Sequence, residues 1–127
     1  MINNKTKKSL SVNKRQMGTS YEIKAEEYLM QKGYRILERN FSNRVGEIDI
    51  IAKQKEYFCF IEVKYRKSLQ YGFPAEAVTV SKQKKIILGA RKYRYEHKIS
   101  SGVPCRFDVI SICGNEIEHI ENAFCLT

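Results

Sequence analysis

The chain has 127 residues, 43% of them hydrophobic, which is enough for one domain with a single core. Lysine and arginine number 23 against 14 acidic residues, and the resulting net charge of +9 favours a polyanionic partner such as nucleic acid. No apolar stretch is long enough for a signal peptide or a membrane span, and the four cysteines form no Cys-x-x-Cys pair. We therefore expect a cytoplasmic protein with reduced thiols and exclude an integral membrane protein.

Residues 1–17 are basic and contain few apolar side chains before Met17. Such a composition predicts a disordered arm that attracts phosphate, followed by one domain over residues 18–127. The arm contains five basic residues and no acid: Lys5, Lys7, Lys8, Lys14 and Arg15.

A first helix is predicted from about Tyr21 to Lys32, because apolar residues recur there at helical spacing. Thr19 or Ser20 is suited to be its N-cap, and Gly33 to end it.

The acidic residues of this helix differ in their relation to the apolar stripe. Glu22 lies at the edge of the stripe, whereas Glu26 and Glu27 are expected to be solvated charges, with Glu26 as a second candidate after Glu22. An acid in the first turn also complements the helix dipole, so Glu22 has a purely structural explanation as well.

Three strands are predicted next, over residues 34–41, 46–52 and 60–66. The polar residues 53–56 form a short turn, so the last two strands make a hairpin. A hairpin centred on that turn places Asp49 directly opposite Glu62, with their Cβ atoms about 5 Å apart. Since side chains alternate between faces, Lys64 shares the face of Glu62.

Opposed carboxylates repel each other, and a hard divalent cation such as Mg²⁺ or Mn²⁺ makes the pair favourable. Lys64 then points at whatever the metal holds. The alternative is a surface hairpin with ordinary salt bridges, since the same register puts Glu47 opposite Lys64. Both interpretations are open at the level of these residues.

A second long helix is predicted to start at Ser81 as its N-cap. Between residues 82 and 98, Glu96 is the one acid among seven basic residues, a pattern that favours phosphate binding or simple solubilisation. The basic residues are Lys82, Lys84, Lys85, Arg91, Lys92, Arg94 and Lys98, and the apolar stripe is Ile86, Ile87, Ala90, Tyr93 and His97. A late strand, 106–112, completes an αβββαβ order with a mixed sheet and helices on both faces.

Five motifs occur in one order along most of the chain. Together they resemble the bacterial YraN family of endonuclease-like proteins, within the PD-(D/E)XK nuclease superfamily that includes archaeal Holliday junction resolvases. Ile48 stands where the superfamily name has proline. The motifs are Gly46–Ala52, Phe60–Arg66, Tyr71–Pro74 with Ala77 and Val78, Lys82 with Gln83, and Arg106–Val109.

The resemblance implies a restriction-endonuclease-like fold and a Mg²⁺- or Mn²⁺-dependent endonuclease acting on DNA, with branched or junction DNA among its substrates. It assigns Asp49, Glu62 and the backbone carbonyl of Val63 as metal ligands and Lys64 as the residue that acts on the attacking water. The further candidates are Glu22 and Gln83 for catalysis, and Lys82, Lys84, Lys85, Arg66 and Arg91 for DNA binding.

Two other functions remain open: a DNA-binding or scaffold module on a nuclease fold that turns over nothing, and a structural partner in a larger complex. Retention of Asp49, Glu62 and Lys64 together favours the enzyme, because a pure binder gains nothing from carboxylates that repel phosphate. Junction resolvases act as dimers, so a homodimer is a further expectation from the resemblance.

Overall fold

A computed structural model describes residues 13–66 and 78–125, with side chains from residue 20 onward. The predicted loop motif Tyr71–Pro74 and most of the basic arm lie outside these residues. The described part contains two helices and five strands: α1 (Asn13–Gln31), β1 (Arg35–Ser42), β2 (Glu47–Gln54), β3 (Tyr57–Tyr65), α2 (Val80–Glu96), β4 (Cys105–Cys113) and β5 (Glu116–Phe124).

The strands form one mixed sheet in the order β1-β2-β3-β4-β5. β3 and β4 are parallel and joined through α2, whereas the other neighbouring strands are antiparallel. The predicted α/β class and αβββαβ core are therefore confirmed. The hairpin register is confirmed too, because β2 and β3 pair from Gln54 opposite Tyr57 to Ile50 opposite Ile61.

The two helices cover opposite faces of the sheet, and each face has its own core. Ala25 and Leu29 of α1 pack on the face that carries Ile50 and Ile61. Ile86 and the rest of the buried stripe of α2 pack on the other face, against residues such as Phe60. Neither described helix is long and apolar enough to cross a membrane.

The predicted start of α1 is wrong by eight residues. The helix begins at Asn13, so Thr19 and Ser20 lie inside it and neither is its N-cap residue. Residues 14–17 are all good helix formers, which extend the helix beyond the apolar stripe used to predict it. Its end is as predicted: Gly33 has a φ of 90°, and the N–H of Tyr34 donates to the Leu29 carbonyl in a Schellman motif.

The predicted cap of α2 is also wrong, by two residues. Thr79 is the N-cap, and its hydroxyl accepts a hydrogen bond from the backbone N–H of Lys82. Ser81 is therefore helical, and His97 ends the helix as an exposed C-cap with its ring stacked on Tyr93. Both Ser and Thr are favoured N-cap residues, so residue type alone could not show which of Thr79 and Ser81 begins the helix.

β5 was not predicted at all. It is an edge strand that pairs with β4 antiparallel, from Cys113 opposite Glu116 to Phe107 opposite Phe124. Its three glutamates and its irregular burial hide the alternation expected of a strand with one covered face.

Candidate functional site

The regular pairing of β2 with β3 stops just before it reaches Asp49. Pairing ends at Ile50 and Ile61, and beyond that point the backbone N–H of Val63 donates to Asp49 Oδ2 at 2.8 Å. Ile48 packs in the core beneath α2, whereas Ile50 packs in the core beneath α1, so strict alternation fails across Asp49. The two strands separate here, and the Asp49 carboxylate takes the place of a backbone acceptor.

The carboxyl groups of Asp49 and Glu62 lie close enough at this opening for each to affect the pKa of the other. Glu62 is 5% exposed. Burial, and after it the negative charge of Asp49, raises the pKa of Glu62 to about 7. Burial also raises the pKa of Asp49, although the Val63 N–H and the Glu62 carboxyl act against the rise. Sequence reasoning predicted this pair, and the structure brings it together.

Two lysines approach the same oxygen of Glu62. Lys64 Nζ lies 3.7 Å from Glu62 Oε2, and Lys82 Nζ reaches the same atom from the first turn of α2 at 4.0 Å. Lys82 was predicted only as a DNA-binding residue. Within the residues that the structure describes, Lys64 pairs along its own strand with Glu62 and not across the hairpin with Glu47, which weakens the surface salt-bridge alternative.

The other oxygen of the Glu62 carboxyl group, Oε1, is buried without a hydrogen-bond partner among the described residues. An unsatisfied buried carboxylate oxygen beside a second carboxylate suits a hard cation. In the described ranges, 13–66 and 78–125, no group of three or more His, Cys, Asp or Glu side chains is arranged to hold a metal. Mg²⁺ commonly uses only one or two carboxylates and completes its shell with water and phosphate, so the pair fits this ion.

Glu22 lies on α1, close enough to Asp49 for the two charges to interact. It is half-buried on α1, and its pKa is raised first by burial and then by the negative charge of Asp49. The structure therefore places Glu22 near Asp49 without making it a third member of a ligand cluster. Of its neighbours, Glu27 is exposed as expected, but Glu26 is buried and accepts a 2.6 Å hydrogen bond from Arg39.

Two other candidates have structural partners. Gln83 Nε2 donates to the Val78 carbonyl at 3.0 Å, which ties the start of α2 to the preceding chain. Arg66 follows β3, and its backbone N–H donates to the Ile112 carbonyl at 2.8 Å. These contacts explain the position of both residues, and their catalytic or DNA-binding roles stay predictions.

The predicted DNA-binding lysines and arginine of α2 divide into two groups. Lys82 and Lys85 lie on the side of the helix that faces the carboxylate pair and the β1–β2 turn. Lys84 and Arg91 are exposed and, at 100° per residue, lie on the side opposite the buried residues Ile86 and Tyr93.

A second buried charge cluster joins β4 to β5, and sequence reasoning did not predict it. Asp108 is fully buried and accepts hydrogen bonds from Arg106 Nε at 3.0 Å, from His119 Nε2 at 2.7 Å and from the N–H of Asn122 at 2.9 Å. Burial alone would raise its pKa, but these donors together hold the pKa of Asp108 below its ordinary value. We interpret the cluster as a structural link because its charges are mutually satisfied.

The described fold and site define an α/β protein with a carboxylate pair and two lysines at the open end of a β-hairpin. The uncharacterised protein family UPF0102 matches residues 21–112, and the chain belongs to that family.

Relatives cover most of the chain. A UPF0102 protein of Lachnoclostridium phytofermentans is 44% identical over 113 residues, which is 89% of this chain and 96% of the relative. One of Persephonella marina is 49% identical over 84% of this chain and 91% of its own length. The UPF0102 protein YraN of Escherichia fergusonii is 42% identical over 87% of this chain and 85% of its own length.

Proposed function

We propose that this protein is an endonuclease that hydrolyses phosphodiester bonds in DNA with Mg²⁺ or Mn²⁺ as its cofactor. The observation that carries the proposal is the pairing of buried Glu62 with half-buried Asp49, flanked by Lys64 and Lys82. The resemblance of the ordered motifs to PD-(D/E)XK nucleases supports it, as does the net charge of +9.

The cation would be held by Asp49, by Glu62 and by the backbone carbonyl of Val63. When bound, it polarises the scissile phosphate and lowers the pKa of a coordinated water. Oxygen donors are what these ions prefer, and the unpartnered Oε1 of Glu62 offers one.

The chain itself supplies the remaining groups. Lys64 orients or deprotonates the attacking water and offsets negative charge in the transition state. Lys82 neutralises the carboxylate pair before substrate arrives, since its ammonium already contacts Glu62. Glu22, whose pKa is raised first by burial and then by the charge of Asp49, orients water beside the pair.

A DNA-binding module without catalysis is the second candidate. Two observations favour it: Glu62 Oε2 already has two lysine partners, and the described residues offer no third metal-binding side chain. In that case the pair is a buried structural ion cluster and the basic surface alone is functional.

Nuclease assays with purified protein separate the two candidates. Linear, flapped and four-way-junction DNA are incubated with Mg²⁺, Mn²⁺ or EDTA, and binding is followed in parallel. We expect metal-dependent cleavage of at least one substrate, and its loss in Asp49→Asn. Tight binding of branched DNA without cleavage under any metal condition would replace the enzyme with the binding module.

A further inference from the structure

A basic cleft lies beside the carboxylate pair, between the β1–β2 turn and α2. Its first part has a volume of about 280 Å³ and is lined by Arg44 and Val45 of the turn and by Lys82 and Lys85 of the helix. Glu47 also lines it, and its charge reaches Asp49, so this part of the cleft adjoins the proposed catalytic groups.

A second part continues along the helix, away from the pair. It measures about 420 Å³ and is lined by Arg44 and Val45 again, together with Lys92, and the surface that these residues present to it is almost wholly apolar. Lys85 and Lys92 are seven residues apart and therefore lie on the same side of α2. The two parts share the β1–β2 turn, and three cations line the part beside the pair: Arg44, Lys82 and Lys85. The ammonium of Lys92 lies 3.8 Å from Glu96 Oε2.

Gly46 explains how the turn approaches the helix so closely. A Cβ at this position would lie 2.5 Å from the backbone carbonyl oxygen of Lys85, a distance at which the backbone must shift. The turn itself is held by Asn43, whose Oδ1 accepts the N–H groups of Val45 and Gly46 at 2.9 and 3.1 Å. The wall of the cleft is thus set by the close approach of Gly46 to the helix backbone and by the Asn43 side chain.

We propose that this basic cleft holds the sugar-phosphate backbone of a single nucleic-acid strand and leads it to Asp49 and Glu62. A groove of positive charge that follows one backbone is how proteins bind single strands. A duplex, whose major groove alone is about 12 Å wide, presents two backbones, whereas this cleft offers one line of cations. The inference rests on the proposed function and adds the path of the substrate.

The competing path runs over the exposed face of α2, where Lys84 and Arg91 lie. That face also exposes Leu88 and Tyr95, which are 43% and 81% accessible. It is on the far side of the helix from the core, however, and none of its residues contacts the carboxylate pair in the described part of the chain.

Three double variants, each losing one lysine and one arginine, distinguish these paths. Arg44→Ala with Lys85→Ala removes cations of the cleft, and Lys84→Ala with Arg91→Ala removes those of the exposed face. Arg35→Ala with Lys55→Ala is the matched control, because these exposed residues lie at the opposite end of β2 from Asp49. Binding of single-stranded and duplex oligonucleotides is measured in EDTA over a range of salt concentrations.

For the cleft variant we expect the slope of log affinity against log salt on single-stranded DNA to fall by about 1.4, two contacts at about 0.7 each. Affinity at 0.15 M salt should fall about tenfold. The other two variants should change the slope by less than half as much.

An equal loss in the cleft and exposed-face variants, or a loss confined to duplex DNA, would overturn the inference while leaving the proposed nuclease intact. If the wild type binds no nucleic acid at any salt concentration, the proposed function itself fails, and the path with it.

Discussion

Glu62 is more stable as a neutral acid in the folded protein than in the unfolded chain. Its pKa rises from 4.5 to about 7 on folding, first because of burial and then because of Asp49. Between these two values Glu62 binds more protons in the folded state than in the unfolded state, so the contribution of Glu62 to stability is greatest below about pH 4.5 and is lost as pH rises through 7. The shift corresponds to a penalty on the order of 3 kcal/mol above that range.

Glu62→Gln should therefore stabilise the metal-free protein at pH 8 and have a much smaller effect at pH 4.5. Urea unfolding in EDTA at both pH values measures the difference, with Glu47→Gln as the control, an exposed acid at the start of the same strand. The expected gain at pH 8 is about 1–3 kcal/mol, because loss of the two lysine contacts offsets part of the penalty. Destabilisation at pH 8 would show that the Glu62–lysine contacts outweigh the burial of charge.

Lys64 and Lys82 contact the same carboxylate oxygen but should differ in catalysis. Lys64→Ala is expected to lower the cleavage rate at least about 100-fold while leaving folding and most DNA binding unchanged. Lys64→Arg should fail as well, since the guanidinium is planar, larger and hardly able to lose a proton. Lys82→Ala serves as the matched comparison and should lose less activity. Cleavage that survives in both Lys64 variants, after repurification, would show that this lysine has another role.

Part of the arrangement of the candidate site could be predicted from the sequence. The hairpin register placed Asp49 opposite Glu62, because a short polar turn fixes which strand positions face each other. The contact of Lys82 with Glu62 was not accessible, since it depends on how the first turn of α2 docks against the sheet. The position of Arg44 beside Lys82 and Lys85 could not be predicted for the same reason. It depends on how closely the β1–β2 turn approaches a helix that is distant in the sequence.

Among the strands, β4 and β5 are joined by the buried Asp108 cluster. Asp108→Asn would leave the guanidinium of Arg106, only 11% exposed, without its main counter-charge. We expect a loss of about 3–5 kcal/mol in the free energy of unfolding, measured in urea. Glu121→Gln is the control, because Glu121 is exposed and 3.6 Å from Arg106, and it should cost less than about 1 kcal/mol. Equal effects would mean that burial does not govern this network.

The elements themselves were predictable where their periodicity was strong. The strand predicted over residues 34–41 and the late strand over 106–112 each agree with β1 and β4 to within a residue or so. β5 escaped because the acids of this edge strand face solvent and it covers little core. The start of α1 escaped because its first turns lie before the apolar stripe from which the helix was predicted.

Across the whole molecule, positive charge is concentrated in α2 and in the basic arm, and no lysine or arginine follows Arg106. Deleting residues 1–12 removes Lys5, Lys7 and Lys8 and should reduce the salt slope of duplex binding by no more than about 2.7. The midpoint of thermal unfolding should not change, because the segment has few apolar side chains to bury. Fluorescence anisotropy and calorimetry measure the two quantities. A large drop in the unfolding midpoint would mean that residues 1–12 contribute to the stability of the folded domain.

The central claim is that Asp49 and Glu62 together form a cation site that serves phosphodiester hydrolysis. Titration calorimetry with Mn²⁺ tests it most directly, with the wild type, Asp49→Asn, Glu62→Gln and the control Glu47→Gln. We predict binding by the wild type and the control, and its loss in both pair variants, because each removes an anionic oxygen from the site. A wild-type protein that binds no divalent ion, even with DNA present, would contradict the account.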